Sequence, residues 1–146
     1  MEGKATVVRV QEGDLLEELF QLRRVVFVQE QGVAAEEEFD EYESVSVHFA
    51  AVLDGEVVAC ARYRVTTSGF KIERMAVRLE RRGQGLGSLV LRHVLEVLNA
   101  LPSRSLSPVY LHAQVQALGF YLKHGFVPEG DEFEEAGIAH FRCCLK

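Results

Sequence analysis

Residues 71–100 read KIERMAV (71–77), RLERRGQGLGS (78–88) and LVLRHVLEVLNA (89–100). The first piece has the composition of a strand, the second of a turn, and the third repeats its apolar residues at helical spacing. Gly83, Gly85 and Gly87 strip side chains from a turn that runs into a helix N-terminus. Bare N–H groups at such a point suit an anion, usually a phosphate. The same unit decides the fold: a strand that enters a helix and then returns to the sheet must create a parallel pair.

Upstream, Ala5–Val10 is β-branched and reads as a first strand. A helix is expected from about Asp14 to Glu30. Leu15, Leu16, Leu19, Phe20, Leu22, Val26 and Phe27 give it an apolar side, and Asp14 with Glu17 resembles a capping box. From Glu30 to Glu43 the chain carries seven acids and no base. That run reads either as a solvated loop or short helix, or as an acidic rim that attracts a cationic amine. Val47–Leu53 and Glu56–Thr66 flank Asp54–Gly55, a strong hairpin signal, and Ser68–Gly69 turns the chain into Phe70–Val77. Three antiparallel strands thus lead to the glycine turn.

Downstream, a helix is expected from about Gln84 to Asn99, burying Leu86, Leu89, Val90, Val94, Leu95, Val97 and Leu98. Leu101–Pro108 cannot continue it. Val109–Ala113 reads as a strand, Val115–His124 as a short helix stopped by Gly125, and Phe126–Val127 as the opening of a further strand. An acidic patch (Glu129, Asp131, Glu132, Glu134, Glu135) precedes a last strand, Ile138–Leu145. The order β-α-β-β-β-α-β-α-β-β predicts a single α/β domain over residues 1–146. Its three layers would hold a mixed, mainly antiparallel sheet with one parallel strand pair and helices on both faces.

The composition bounds what this domain can do. Sixteen Lys and Arg against 22 Asp and Glu give a net charge of −6, which argues against a general nucleic-acid binder. Arg78, Arg81, Arg82 and Arg92 nevertheless make a positive island around the glycine turn. Cys60, Cys143 and Cys144 are odd in number and lack metal-type spacing, so reduced thiols are expected. No apolar run approaches the roughly 20 residues of a membrane span and no signal peptide opens the chain, so the expected setting is the cytoplasm, with no membrane partner.

Three glycine patterns compete for the phosphate. The nucleotide P-loop requires a lysine after its glycines, and none follows here. The dinucleotide fingerprint requires GxGxxG and an acid about 20 residues on, whereas these glycines alternate and Ser103–Ser107 contains no acid. The third pattern fits: Arg82-Gly83-Gln84-Gly85-Leu86-Gly87, after the strand Met75-Ala76-Val77, resembles the Q/R-x-x-G-x-G/A loop of the GNAT (Gcn-related N-acetyltransferase) superfamily. Ala117-Leu118-Gly119-Phe120-Tyr121-Leu122-Lys123-His124-Gly125-Phe126 is similar to that superfamily's A-x-x-F-Y-x-x-x-G-F signature. Val26-Phe27-Val28-Gln29-Glu30-Gln31-Gly32 resembles the first-helix end of a bacterial, uncharacterised branch.

The resemblance implies a GNAT-like fold and acetyl-CoA as cosubstrate. Its pyrophosphate would lie on the N–H groups of Arg82, Gly83, Gln84, Gly85, Leu86, Gly87 and Ser88. Its pantetheine arm would lie along Met75, Ala76 and Val77, between two splayed parallel strands, in the manner of an added strand. Gln114 stands where many members carry an asparagine that contacts the cofactor amides. Tyr121 matches the tyrosine that contacts the cofactor and acts as general acid toward the departing sulfur; a phenol is protonated at neutral pH and can donate. Its plainer reading is a core aromatic. The base is left open among Glu73, Glu30 and His112, with His48 and His124 behind them, or water. Each also has an ordinary structural reading.

No metal is implied. The expected function is an acetyl-CoA-dependent N-acetyltransferase acting on a small amine by direct attack in a ternary complex, with homodimer formation open. The alternatives are a non-catalytic acyl-CoA-binding or sensing module and a phosphate-binding domain unrelated to CoA.

Overall fold

The computed structural model describes residues 3–146. Seven strands form one sheet in the order β1-β2-β3-β4-β5-β7-β6. They are β1 (Thr6–Val10), β2 (Val47–Leu53), β3 (Glu56–Thr66), β4 (Gly69–Val77), β5 (Val109–Gln114), β6 (Phe126–Glu135) and β7 (Ile138–Leu145). All neighbours are antiparallel except β4 and β5. The helices are α1 (Asp14–Arg23), α2 (Ala35–Glu38), α3 (Leu86–Asn99) and α4 (Leu118–Lys123). The expected mixed three-layer architecture is therefore present.

The alternation of strand side chains, broken once by a bulge at Val58 of β3, explains the layers. Val57 and Cys60 of β3 face one side and pack with Leu19 and Leu22 of α1. Val58, Ala59, Ala61 and Tyr63 face the other side, where Val90, Leu91, Val94 and Leu98 of α3 close the larger core. β3 is thus covered on both faces, which accounts for its nearly continuous apolar run. Leu91 belongs to the buried stripe of α3, while Leu89, Leu95 and Val97 lie at its margin.

Helix one runs as far as expected, but its last part, Arg24–Glu30, widens into a π-helix in which Gln31 N–H reaches back to the Val26 carbonyl at 3.2 Å. The expected capping box is absent. Gly13 is the N-cap, no side chain caps the helix, and the Gly13 carbonyl accepts from Leu16 and Glu17. The Asp54–Gly55 hairpin has positive φ at both positions, 51° and 78°, as a tight primed turn demands. The acidic patch at 129–135 is not a loop. It belongs to β6, an edge strand that returns to β7 through Ala136–Gly137, again with both φ positive. Exposed carboxylates on an edge strand oppose pairing with another chain.

One irregularity shapes the whole molecule. Opposite β3, Arg62 pairs with Glu73 and Cys60 with Ala76, so β4 carries one residue more than its partner between those pairs. Arg74 lies in this bulge with φ of 57°, the left-handed region that a bulky residue seldom occupies. The bulge bends β4 away from β5. Parallel pairing is confined to Phe70, Lys71 and Ile72 against Val109, Tyr110 and Leu111. Past that point the two strands part, and a cleft opens.

Candidate active site

The cleft has a volume of about 1000 Å³. Met75, Ala76 and Val77 form one wall and Leu111, His112 and Gln114 the other, with Phe120 and Tyr121 between them. Helix one ends over the gap. Glu30 binds the Arg82 guanidinium with two bonds of 2.8 and 2.9 Å, and Gln31 accepts from the Gln114 side-chain amide at 2.8 Å. The π-helical end of helix one is therefore tied to the glycine turn on one side and to β5 on the other.

At the glycine turn, Gly83 and Gly85 have φ of 83° and 80° with open space where a Cβ would stand. Their requirement is conformational: the turn needs the left-handed region twice within three residues. Gly85 is the N-cap of α3, no side chain caps that helix, and its first internal bond is Leu89 N–H to the Gly85 carbonyl at 3.0 Å. The N–H groups of Leu86, Gly87 and Ser88 are thus outside the helical ladder and available to an anion. At Gly87 a Cβ would come within 3.4 Å of Phe120, so α3 and α4 approach closely there. The Ser88 hydroxyl is held by His124 at 2.9 Å.

Of the expected site residues, Glu30, Glu73, Met75, Ala76, Val77, Arg82, Gly87, His112, Gln114 and Tyr121 all border this one cleft. Gln84, Gly85 and Leu86 border a neighbouring hollow of about 400 Å³, beside Lys4 and Arg92. Arg82 offers the site its backbone only, since its guanidinium is engaged by Glu30.

Tyr121 is 8% exposed, with its ring edge-on to Phe120 and Phe126 at 5.1 and 6.0 Å. Its hydroxyl has no hydrogen-bond partner among the described residues, and burial raises its pKa above the ordinary phenol value. A phenol in the wall of a cleft, with its hydroxyl free of internal bonds, is placed to meet a ligand.

Glu73 is a different case. Arg62, Arg64 and Lys71 surround it at 3.1, 2.6 and 3.1 Å. These cations overcome the opposing effect of burial and hold its pKa at about 2. A carboxylate so weakly basic has little affinity for an amine proton, and three cations already share its charge. Glu30 is likewise occupied by Arg82.

The acids of residues 30–43 divide: Glu36, Glu37 and Glu41 are exposed, as on a solvated short helix or loop, while Glu30, Glu38, Asp40 and Glu43 are ion-paired. Glu38 accepts from Arg23 at 2.8 Å, Glu43 takes Arg23 and Arg62 in bonds of 2.7–2.9 Å, and Asp40 takes Arg62 and Arg74. Arg23 and Arg62 are fully buried. Glu38, Asp40 and Glu43 are anchors that pin the segment to α1, β3 and β4, and their charge is neutralised there. Arg74 donates to the carbonyls of Glu37 and Glu38, so its strained backbone is held by the segment it helps to hold.

Of the three leading base candidates, His112 is the one not paired with a cation. Its Nδ1 lies 3.0 Å from Glu135 Oε1, and its ring packs edge-on against Phe133 at 5.0 Å. Glu135 also lies 3.8 Å from His140 Nε2. Glu135 and His140 were not among the expected site residues. The strand character of 126–135 was hidden by its acids, and only the β6–β7 return brings them to the cleft. Among the described residues, no group of three or more His, Cys, Asp or Glu is arranged to hold a metal ion.

Comparison with known proteins agrees with this geometry. Residues 18–144 match the family model of the acetyltransferase (GNAT) domain. The uncharacterized N-acetyltransferase YjcF of Bacillus subtilis is 40% identical over 141 residues, covering 95% of this chain and 96% of that protein. The crystal structure of an acyl-CoA N-acyltransferase from Pseudomonas aeruginosa superposes with a TM-score of 0.85 at 28% identity, covering 98% of this chain and 100% of that one. The fold is also shared, at 15% identity and a TM-score of 0.73, with a GNAT family acetyltransferase from Elizabethkingia anophelis crystallised with acetyl-CoA, over 97% of each chain. With its glycine turn, bulged β4 and splayed parallel pair, the chain belongs to the GNAT acetyltransferase family.

Proposed function

We propose that this protein transfers the acetyl group of acetyl-CoA to the amine of a small acceptor, in the cytoplasm, by direct attack with both substrates bound. The observation that carries this reading is the meeting, in one cleft, of the uncapped start of α3, the parted edges of β4 and β5, and the partnerless Tyr121 hydroxyl. The residues fit the cosubstrate. The N–H groups of Leu86, Gly87 and Ser88 would take its phosphates, and the edge at Met75–Val77 would take its amide-bearing arm.

Acetyl-CoA supplies an acyl group already activated as a thioester. The chain supplies position and protons. Tyr121 donates its hydroxyl proton to the departing sulfur, and burial keeps that proton in place at neutral pH. With Glu73 and Glu30 committed to cations, His112 is the group to accept the acceptor's proton. Helix one, tied to Arg82 and Gln114, limits the access of water.

A panel of amines incubated with acetyl-CoA and the protein, read by release of free thiol, tests the reading. Thiol release that depends on the amine, with a matching N-acetylated product, is the expected result. Tight acetyl-CoA binding without turnover of any amine would instead favour a non-catalytic acyl-CoA-binding module. Absence of binding heat on titrating acetyl-CoA would overturn both.

A further inference from the structure

We infer that Glu135 is a positioning residue that holds His112 in the tautomer able to take a proton from the acceptor. The inference rests on the acetyltransferase reading and names a part of the site that lies outside the glycine turn and the tyrosine helix.

The argument begins with hydrogen-bond capacity. A carboxylate can only accept, so at 3.0 Å the His112 Nδ1 must carry the proton and donate to Glu135 Oε1. That leaves the Nε2 of a neutral ring with its lone pair exposed. Nε2 has no partner among the described residues, and His112 forms part of the cleft wall. His140 is fixed independently. Its Nδ1 donates to the Ile138 carbonyl at 2.7 Å, so its Nε2 is directed to Glu135 Oε2 at 3.8 Å. Glu135 therefore stands between two imidazoles whose Nδ1 protons are both assigned. Phe133 packs edge-on against His112 and stacks with His140 at 5.9 Å, so an apolar ring holds both.

The sheet explains the convergence. His112 is on β5, His140 on β7, and Glu135 ends β6 at the Ala136–Gly137 turn, so three adjacent strands deliver one side chain each. The surrounding charges are also defined. Lys71 on β4 acts on Glu135 while pairing with Glu73 at 3.1 Å. Arg142 on β7 lies opposite His112 in register, with its guanidinium over the Tyr110 ring at 4.4 Å. The His112 hydrogen bond is the largest influence that holds the Glu135 carboxyl below its ordinary range.

The step balances simply. An N–H bond of the acceptor ammonium breaks, its electron pair stays on nitrogen, and the proton forms a bond to His112 Nε2. The positive charge passes to an imidazolium already facing Glu135, and the proton then leaves to solvent.

The test uses the free protein first. Histidine-selective nitrogen and carbon NMR should show His112 with its proton on Nδ1 in the wild type. Glu135→Ala should remove that preference. Glu135→Gln, which keeps an acceptor oxygen without the charge, should restore the tautomer. Unchanged His112 signals in Glu135→Ala would overturn the inference, whatever the enzyme assay shows.

The second arm compares ethylamine with the weakly basic trifluoroethylamine, which needs no base at neutral pH. Glu135→Ala should lower kcat/KM for ethylamine by about tenfold or more, with a much smaller loss for trifluoroethylamine. Equal losses for both amines would mark a structural role and sink the idea. If the wild type acetylates neither amine, the NMR result alone decides the inference, and the amine panel separately decides the function.

Discussion

Replacing Tyr121 by Phe should separate catalysis from folding. The substitution removes one oxygen from a ring that keeps its edge-on contacts with Phe120 and Phe126. Because the hydroxyl has no hydrogen-bond partner among the described residues, no internal bond is lost. The change in unfolding free energy should therefore stay within about 1 kcal/mol, and stabilisation is allowed, since a buried polar group is deleted. The catalytic cost is set differently. A positioned general acid contributes roughly 10²–10⁴ in rate, which is about 3–5 kcal/mol of barrier. The assay is thiol release under saturating acetyl-CoA with the amine found in the panel, beside urea unfolding of both proteins. Because burial raises the phenol's pKa, Tyr121 stays protonated into alkaline solution and should add no alkaline limb of its own near neutral pH. Unchanged turnover in Tyr121→Phe would refute the acid assignment. A loss of several kcal/mol in stability would refute the claim that the hydroxyl is free of internal bonds.

Gly85→Glu should abolish acetyl-CoA binding in calorimetry, by placing a carboxylate where an anion is expected and forcing a side chain into φ of 80°. Gly85→Ala carries only the backbone strain, about 1–2 kcal/mol, and should retain binding. Gly69→Ala should destabilise the fold by more than about 2 kcal/mol in urea titration, since its Cβ would come within 2.3 Å of the Pro108 carbonyl oxygen at φ of 130°. Asp40 and Glu73 have folded pKa values of about 2, below the roughly 4 of an unfolded carboxyl, so their contribution is present above that value and is lost as the pH falls toward 2. The urea midpoint should fall steeply over that window, since the opposite effect of Glu38, whose pKa burial raises, is complete at higher pH. A midpoint independent of pH there would contradict the pairing described.

The architecture was legible because its signals are local. The apolar, β-branched runs of β2 and β3, the Asp54–Gly55 turn and the glycine-to-helix junction each occupy adjacent residues, and each lies where it was expected. Tyr121 and the β4 edge were found through motifs whose spacing the fold preserves. What escaped was long-range pairing. Glu73 reads in the sequence as an acid on a strand beside the loop; only the return of β3 places Arg62 and Arg64 against it. The acids of residues 36–43 resemble a rim, because the two buried arginines that neutralise most of their inward charge lie 15–22 residues away. The bulge at Arg74 has no glycine or proline to mark it. Its support comes from Glu37, Glu38 and Asp40, more than 30 residues upstream.

That arrangement gives the two ends of the cleft different physical characters. The glycine turn recognises with backbone N–H groups, which any sequence supplies once the φ values are met, so this end can be common to a whole family. The opposite end is walled by Arg64, Lys71, Arg74, Glu38 and Asp40, side chains locked in one network with two fully buried guanidiniums behind them. Breaking one pair there leaves an uncompensated charge at low exposure, a cost of several kcal/mol. The wall should therefore change by concerted replacement of paired residues rather than by single steps. Arg62→Met should unfold or loosen the 35–46 segment, measured by hydrogen exchange, while Glu80→Gln on the exposed turn before the glycines should leave it intact. Equal protection of the segment in Arg62→Met and the wild type would show that the network does not hold the wall, and acceptor selectivity would then have to be sought in the β6–β7 return instead.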